Sequence, residues 1–324
     1  MKKIKKITFA LLAMISIAAF NACDNDDDES SNDSIADIAA RNADLSSLAA
    51  ALERTGLDQT LDGSGPFTVF APTNAAFATF LSANGFANLD AVPTAVLREV
   101  LLNHVVSGEN TSGDLSTGYV KTMAKGSASA TNTLSMFINT ASGVVVNGGL
   151  SNNGAVVTSA DVMADNGVIH IVNGVIGLPT VTNHAIANPE FSVLVQALTR
   201  DDMPDFAGIL SGTTSSPFTV FAPNNAAFTS LLSELSLNGL ADIPQATLEE
   251  TLKYHVVTGA NVLSTSLTDN MMVETFSGES FTINLEGGAS ITDANNRVSN
   301  IIATDVQATN GVVHVVNKVL LPTL

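Results

Sequence analysis

Five histidines and one cysteine are the side chains of this 324-residue chain best suited to chemistry, and four of the histidines form two matched pairs. His104 and His255 each follow an apolar helical stretch, in LLNHVVSGE and LKYHVVTGA, while His170 and His314 sit inside branched apolar runs, VIHIV and VVHVV. An imidazole can serve as general base, partner of a nucleophile or metal ligand. Each use carries a spacing requirement, and the sequence meets none of them. Ligation from one helix wants H-x-x-x-H, whereas the nearest two histidines, His170 and His184, are 14 residues apart. The G-x-S-x-G elbow of a serine hydrolase does not occur, and the only thiol, Cys23, lies beside the N-terminal leader. Adjacent acids such as Asp201-Asp202 and Glu249-Glu250 point apart on a helix and cannot share a substrate. No catalytic residue, metal or cofactor is therefore expected.

Structural roles account for the same histidines. His170 and His314, in mid-strand, are expected to be neutral and hydrogen-bonded to a neighbour. At the end of a helix, His104 and His255 should feel the negative end of its dipole, which favours a proton on the ring. His184 has no repeat partner and is expected at the surface, in a linker.

The elements that carry these residues occur twice. PFTVFAPTNAAF (66–77) returns as PFTVFAPNNAAF (217–228), with eleven of twelve letters unchanged. NADLSSLAAAL (42–52) matches NPEFSVLVQAL (188–198), and NGVIHIVNGVIGLPT (166–180) matches NGVVHVVNKVLLPT (310–323). Four blocks recur in one order, so the chain holds two homologous domains, 34–180 and 181–324. In each, Phe67–Phe70 or its counterpart reads as a strand ended by Ala-Pro, after which Thr73 or Asn74 (Asn224 or Asn225) caps a helix carrying Phe77, Phe80 and Leu81 on one face. Pro93-Thr94 and Pro244-Gln245 open a further helix with Leu97 and Leu101, or Leu248 and Leu252, on one side. Short alternating segments with Gly, Asn, Ser and Thr between them then predict several antiparallel strands. The closing VIHIVNGVI and VVHVVNKVL are apolar on both faces and should be central, doubly covered strands. Helices followed by strands around one core make each domain α+β. The short stretch from Thr180 to Asn183 between them predicts close domains with limited swing.

TVFAPTNAAF, the Tyr254-His255 pair and NGVVHVVNKVLLPT resemble the three signature blocks of the fasciclin (FAS1) domain, twice over and across about residues 34–324. The resemblance implies a β-sandwich or wedge with packed helices, and secreted or surface-anchored adhesion to matrix, partner proteins or polysaccharide. It marks Thr73, Asn74, His104, His170, Asn225, Tyr254, His255 and His314 as family-motif positions with structural roles. The first copy has Asn103 where the family usually has tyrosine, so any role of that phenol is confined to the second.

The N-terminus supplies a location. MKKIKK is a basic region, ITFALLAMISIAAF an apolar stretch of 14, and NAC follows, which reads as an export signal over 1–22. Cys23 directly after Ala22 resembles the lipidated cysteine of bacterial lipoproteins, although Phe20 and Asn21 depart from the usual pattern. DNDDDESSND, with six acids in ten residues, predicts a disordered tether over 23–33. It begins like a calcium loop, but Glu29 stands where glycine is needed and Ile35 where a bidentate glutamate is needed. Without the four leader lysines the chain has nine basic residues against 31 acidic ones, a charge of −22 that excludes nucleic acid as a partner and leaves the lipid anchor as the only membrane contact. Tryptophan is absent and tyrosines number two, which leaves little material for a sugar site built on stacked rings. The expected protein is exported, lipid-anchored at the outer membrane or cell surface (a periplasm-facing orientation being the other arrangement), and adhesive towards protein or polysaccharide. The alternative is a glycan-binding accessory protein of a surface uptake system.

Overall fold

The computed structural model describes residues 33–323. The leader, Cys23 and residues 24–32 of the tether lie outside the described residues. Asp33, assigned to the tether, is tied to the fold: its carbonyl accepts the Asp165 N–H at 3.1 Å.

The first copy runs α1 (Ile35–Arg41), α2 (Ser46–Thr55), α3 (Asp58–Leu61), β1 (Phe67–Pro72), α4 (Asn74–Ala83), α5 (Thr94–Leu102), β2 (Val105–Ser107), β3 (Gly118–Lys125), β4 (Thr133–Asn139), β5 (Val145–Val146), β6 (Ala155–Ala164) and β7 (Gly167–Val172). The second repeats it as α6 (Val181–Ala187), α7 (Ser192–Leu198), α8 (Phe206–Ser211), β8 (Phe218–Pro223), α9 (Asn225–Glu234), α10 (Gln245–Tyr254), β9 (Val256–Val257), β10 (Met271–Glu274), β11 (Ser280–Asn284), β12 (Ser290–Thr292), β13 (Val298–Ala308) and β14 (Gly311–Val316). Both are α+β, as the block pattern predicts.

The closing strand is the organiser of each copy. β7 lies parallel to β1, with Phe67 opposite Gly167, and antiparallel to β6; β14 lies parallel to β8 and antiparallel to β13. Period-two alternation sends successive side chains of these strands to opposite faces. On one face Val69, Ala71 and Ile169 meet Leu48, Leu52, Phe77, Leu97 and Leu101 of the helices; on the other Phe70 and Val172 meet Val106, Ile138 and Ile176. Both faces are buried, which is why the run is apolar throughout. In the first copy the strands close into a barrel, β2 meeting β3 through the single pair Val106–Thr122. In the second they form a seven-stranded sheet in the order β10-β11-β12-β13-β14-β8-β9.

The stretch read as a linker is part of a helix. Thr180 and Asn183 form the capping box of α6, each side chain accepting the other's backbone N–H. Both copies also meet along β3, β4 and β13. The Gln307 N–H donates to the Ser135 hydroxyl at 3.0 Å, the Lys121 ammonium to the Asp305 carbonyl at 2.6 Å, and the Thr309 carbonyl accepts from Ala128 N–H at 2.9 Å and the Ser127 hydroxyl at 2.8 Å. These bonds meet the expectation of domains in close contact.

Candidate functional site

The repeated Thr/Asn-Asn motif divides its labour between its two residues. Thr73 is the N-cap of α4, its side chain accepting the Ala76 N–H, and Asn224 does the same for α9 with Ala227. Asn74 and Asn225 face away from their own helices. Asn74 Oδ1 accepts the Ser47 N–H at 2.8 Å and its Nδ2 donates to the Ala43 carbonyl, while Asn225 Oδ1 accepts the Val193 N–H at 2.9 Å and its Nδ2 donates to the Pro189 carbonyl. α2 and α7 have no side-chain cap of their own. A residue 27 or more positions away supplies the missing acceptor to the open helix end.

The helix-end histidines are neutral, against the expectation from the helix dipole. His104 Nδ1 donates to the Val100 carbonyl at 2.7 Å and its Nε2 accepts the Ile176 N–H at 2.8 Å; His255 does the same with Thr251 and Leu320. Burial holds both rings down to a pKa of about 4, outweighing the carbonyl bond. The ring needs its unprotonated nitrogen as an acceptor, so a proton would break the tie between α5 or α10 and the segment after the closing strand. Beside them, Tyr254 donates to the Ser280 carbonyl at 2.9 Å and accepts the Ala294 N–H at 3.1 Å, and burial pushes its phenol up to about 12. Asn103, in the first copy, donates to the Gly177 carbonyl and accepts from Thr122.

The mid-strand histidines are hydrogen-bonded on both nitrogens. His170 Nε2 donates to the Asn110 carbonyl at 2.9 Å, His314 Nε2 to the Val262 carbonyl at 2.8 Å, and each Nδ1 accepts, at 3.4 Å, the backbone N–H of Asp161 or Asp305. Those aspartates, with φ of 61° and 60°, sit at irregularities in β6 and β13, where each carboxylate accepts from the backbone and hydroxyl of Ser112 or Ser264. Serine, aspartate and histidine thus adjoin without forming a catalytic relay, since the serine bonds the carboxylate and the imidazole bonds backbone. These aspartates escape a reading focused on histidine, yet the recurrence of Asp-Val at 161–162 and 305–306 is a visible signal.

His184 lies in α6 and is fully buried, not at the surface. Its Nε2 donates to the Gln307 carbonyl at 3.2 Å, its ring meets Tyr119 edge-on, and its Nδ1 has no partner. The second copy aligns it with Ile38, a residue that packs against the first core, and that correspondence is the signal for its burial.

The motif residues do not converge on one solvent-facing site. A large opening lies elsewhere, in the first copy where β3 leaves β2: a cleft of about 650 Å³ with Phe70, Val106, Leu115 and Ile138 among its apolar walls and Lys121, Ser107 and Asn110 among its polar ones. At the same place in the second copy Phe221, Tyr254, Phe281 and Leu267 form a packed cluster. Among the described residues no group of three His, Cys, Asp or Glu side chains is placed to hold a metal, and no helix is long and apolar enough to cross a membrane.

The fasciclin domain model matches residues 43–179 and 189–322. Protein sll1483 of Synechocystis sp. is 37% identical over 142 residues, covering 44% of this chain and 72% of that protein. Human periostin is 27% identical over 268 residues, covering 82% of this chain and 29% of periostin; the transforming growth factor-beta-induced protein ig-h3 of Sus scrofa is 28% identical over 268 residues, covering 81% and 35%. The chain therefore spans about a third of the length of those two relatives. Among solved structures, a FAS1 domain pair from the insect cell adhesion molecule Fasciclin I superposes with a TM-score of 0.54 at 20% identity, over 86% of this chain and 97% of that one. That likeness is one of fold.

Proposed function

Because the chain belongs to the fasciclin domain family, we propose that it is an exported adhesion or binding protein that contacts matrix, partner proteins or polysaccharide through its two domains, held to the membrane by lipid on Cys23. The observation that carries this reading is the doubled family match, with the motif side chains committed to internal ties and so not left over for catalysis. Contact through the outer loops fits the composition, because the aromatic residues of the motifs are buried and the loops are rich in Asn, Ser and Thr. Two domains bonded to one another present their loops in fixed relation, so weak contacts on each can add when both reach one partner.

The test is deletion of the gene followed by measurement of cell aggregation, biofilm mass and attachment to matrix-coated surfaces. Loss of attachment, restored by the intact gene and not by a Cys23→Ser form, supports an anchored adhesin. Unchanged attachment and aggregation would remove the adhesion reading. Tight, selective binding of the purified protein to one polysaccharide would instead favour the accessory role in uptake.

A further inference from the structure

The two copies share their backbone plan and differ in what fills the space between the sheet faces away from the helices. In the second, the buried cluster there contains three aromatic rings, Phe221, Tyr254 and Phe281. Its counterpart in the first contains one, Phe70, with Asn103 standing in place of the tyrosine. The cleft of about 650 Å³ opens beside that ring, a volume within the range of small-molecule sites.

We propose that this cleft binds a single-chain carboxylate amphiphile, a free fatty acid, with its tail among Phe70, Val106, Leu115 and Ile138 and its head at Lys121. The tail assignment follows from the walls, where Phe70, Val106, Leu115, Val120, Met123 and Ile138 supply the apolar surface and no Tyr or Trp ring is present on which a sugar could stack. The head assignment follows from the lysine. Lys121 is the one cation lining the cleft, and like Arg54, Arg98 and Lys125 it has no acid within ion-pair distance among the described residues, unlike Arg41, Arg200, Lys253, Arg297 and Lys318. Its ammonium donates instead to neutral oxygens, the Asp305 carbonyl at 2.6 Å and the Ser135 hydroxyl at 3.1 Å. The third contact, to the Thr133 carbonyl at 3.5 Å, is too long to hold its proton well and leaves a donor for a carboxylate. The Asp305 carboxylate is the acid that faces it, and its oxygens accept from Ser264. One cation in the cleft of a strongly acidic protein suits a head of one negative charge; a phosphate dianion would meet a repulsive surface.

The experiment titrates laurate into the chain from Asp24 onward and counts bound molecules by native mass spectrometry and calorimetry. One laurate per chain is expected, with butyrate failing to bind and dodecanol binding more weakly. Lys121→Met should weaken laurate at least about tenfold, the worth of a charge-assisted hydrogen bond, while Lys121→Arg retains it. Leu115→Trp, which fills the cleft, should abolish binding. Because Lys121 also touches the second domain, a paramagnetic laurate provides an independent readout, with broadening of the Leu115 and Ile138 methyl signals expected. Absence of saturable binding, two equal sites, broadening confined to other methyls, or affinity indifferent to both Lys121→Met and Leu115→Trp would each overturn the proposal.

Discussion

The rings of Tyr119 and His184 meet edge to face across the boundary between the two fasciclin domains, with centroids 5.5 Å apart and planes at 76°. Tyr119 belongs to β3 of the first domain and packs against the core of the second, beside the fully buried His184. Burial holds the His184 pKa down to about 4; the Gln307 carbonyl opposes that shift and the Lys121 charge adds to it. A neutral histidine is therefore built into the seam between the domains.

Acid should loosen the protein for this reason. The unfolded ring takes up a proton near pH 6.5, whereas the folded ring does so only near 4. Between those values the unfolded state binds more protons, so stability is complete above about pH 6.5, declines as pH falls towards 4, and levels off below. The shift corresponds to about 3 kcal/mol for His184, and His104 and His255 act in the same direction. Thermal melts from pH 7 to 4 should show a shallower decline for His184→Leu than for the unaltered chain. Equal slopes would remove His184 from the acid response.

The seam also depends on the absence of a side chain at Gly126. A Cβ there would lie 2.5 Å from the Thr309 Cα and 2.9 Å from Leu134 Cδ2. Thr309 cannot yield easily, because its N–H is bonded to the Pro179 carbonyl at 2.7 Å and its carbonyl accepts from Ala128 and Ser127. Gly126→Ala is expected to cost about 1–3 kcal/mol, the usual penalty of overpacking. Calorimetry should resolve two melting steps in the variant and one in the unaltered chain. If the variant melts as a single step at the original temperature, the contact is not holding the domains together.

Asn225→Ala should destabilise the second domain by about 1–2 kcal/mol, because it removes the acceptor for the start of α7 and leaves the Pro189 carbonyl without that donor. Asn224→Ser is expected to be nearly neutral, since a serine caps α9 as well as asparagine does. Asn74→Ala should repeat the first result in the other domain. Chemical denaturation of the three variants checks the order. An Asn225→Ala as stable as Asn224→Ser would show that the motif is kept for something other than its corner.

That comparison also shows what a sequence can and cannot disclose. Strand, proline turn and capped helix at 66–77 are legible because their causes lie within a few residues, whereas the partner of Asn74 is 27 residues upstream and has no local mark. His104 and His255 mislead for a related reason: the helix dipole is visible from position alone, but the burial that overrides it is tertiary, and the N–H partners of the rings, Ile176 and Leu320, lie 72 and 65 residues downstream. His184 has no histidine twin, and only its alignment with Ile38 reveals a buried site. The cleft is written as a difference between the copies, Asn103 against Tyr254, and acquires meaning once their surroundings are seen.

The location of the protein decides which partners are worth seeking, and protease added to intact cells reads it directly. If lipid on Cys23 holds the chain at the outer face, as we propose, the protease should reach the chain and release the folded domains from Asp33 onward while a periplasmic lipoprotein in the same cells survives. Release places both domains where matrix and neighbouring cells can reach them. Survival alongside the control would instead confine them within the envelope, end the case for external adhesion, and turn the search towards envelope proteins. A Cys23→Ser form separates anchoring from export, because it should appear in the medium or in the soluble envelope fraction and leave the membrane fraction empty. Membrane retention of that form would mean that something other than lipid on the cysteine holds the chain.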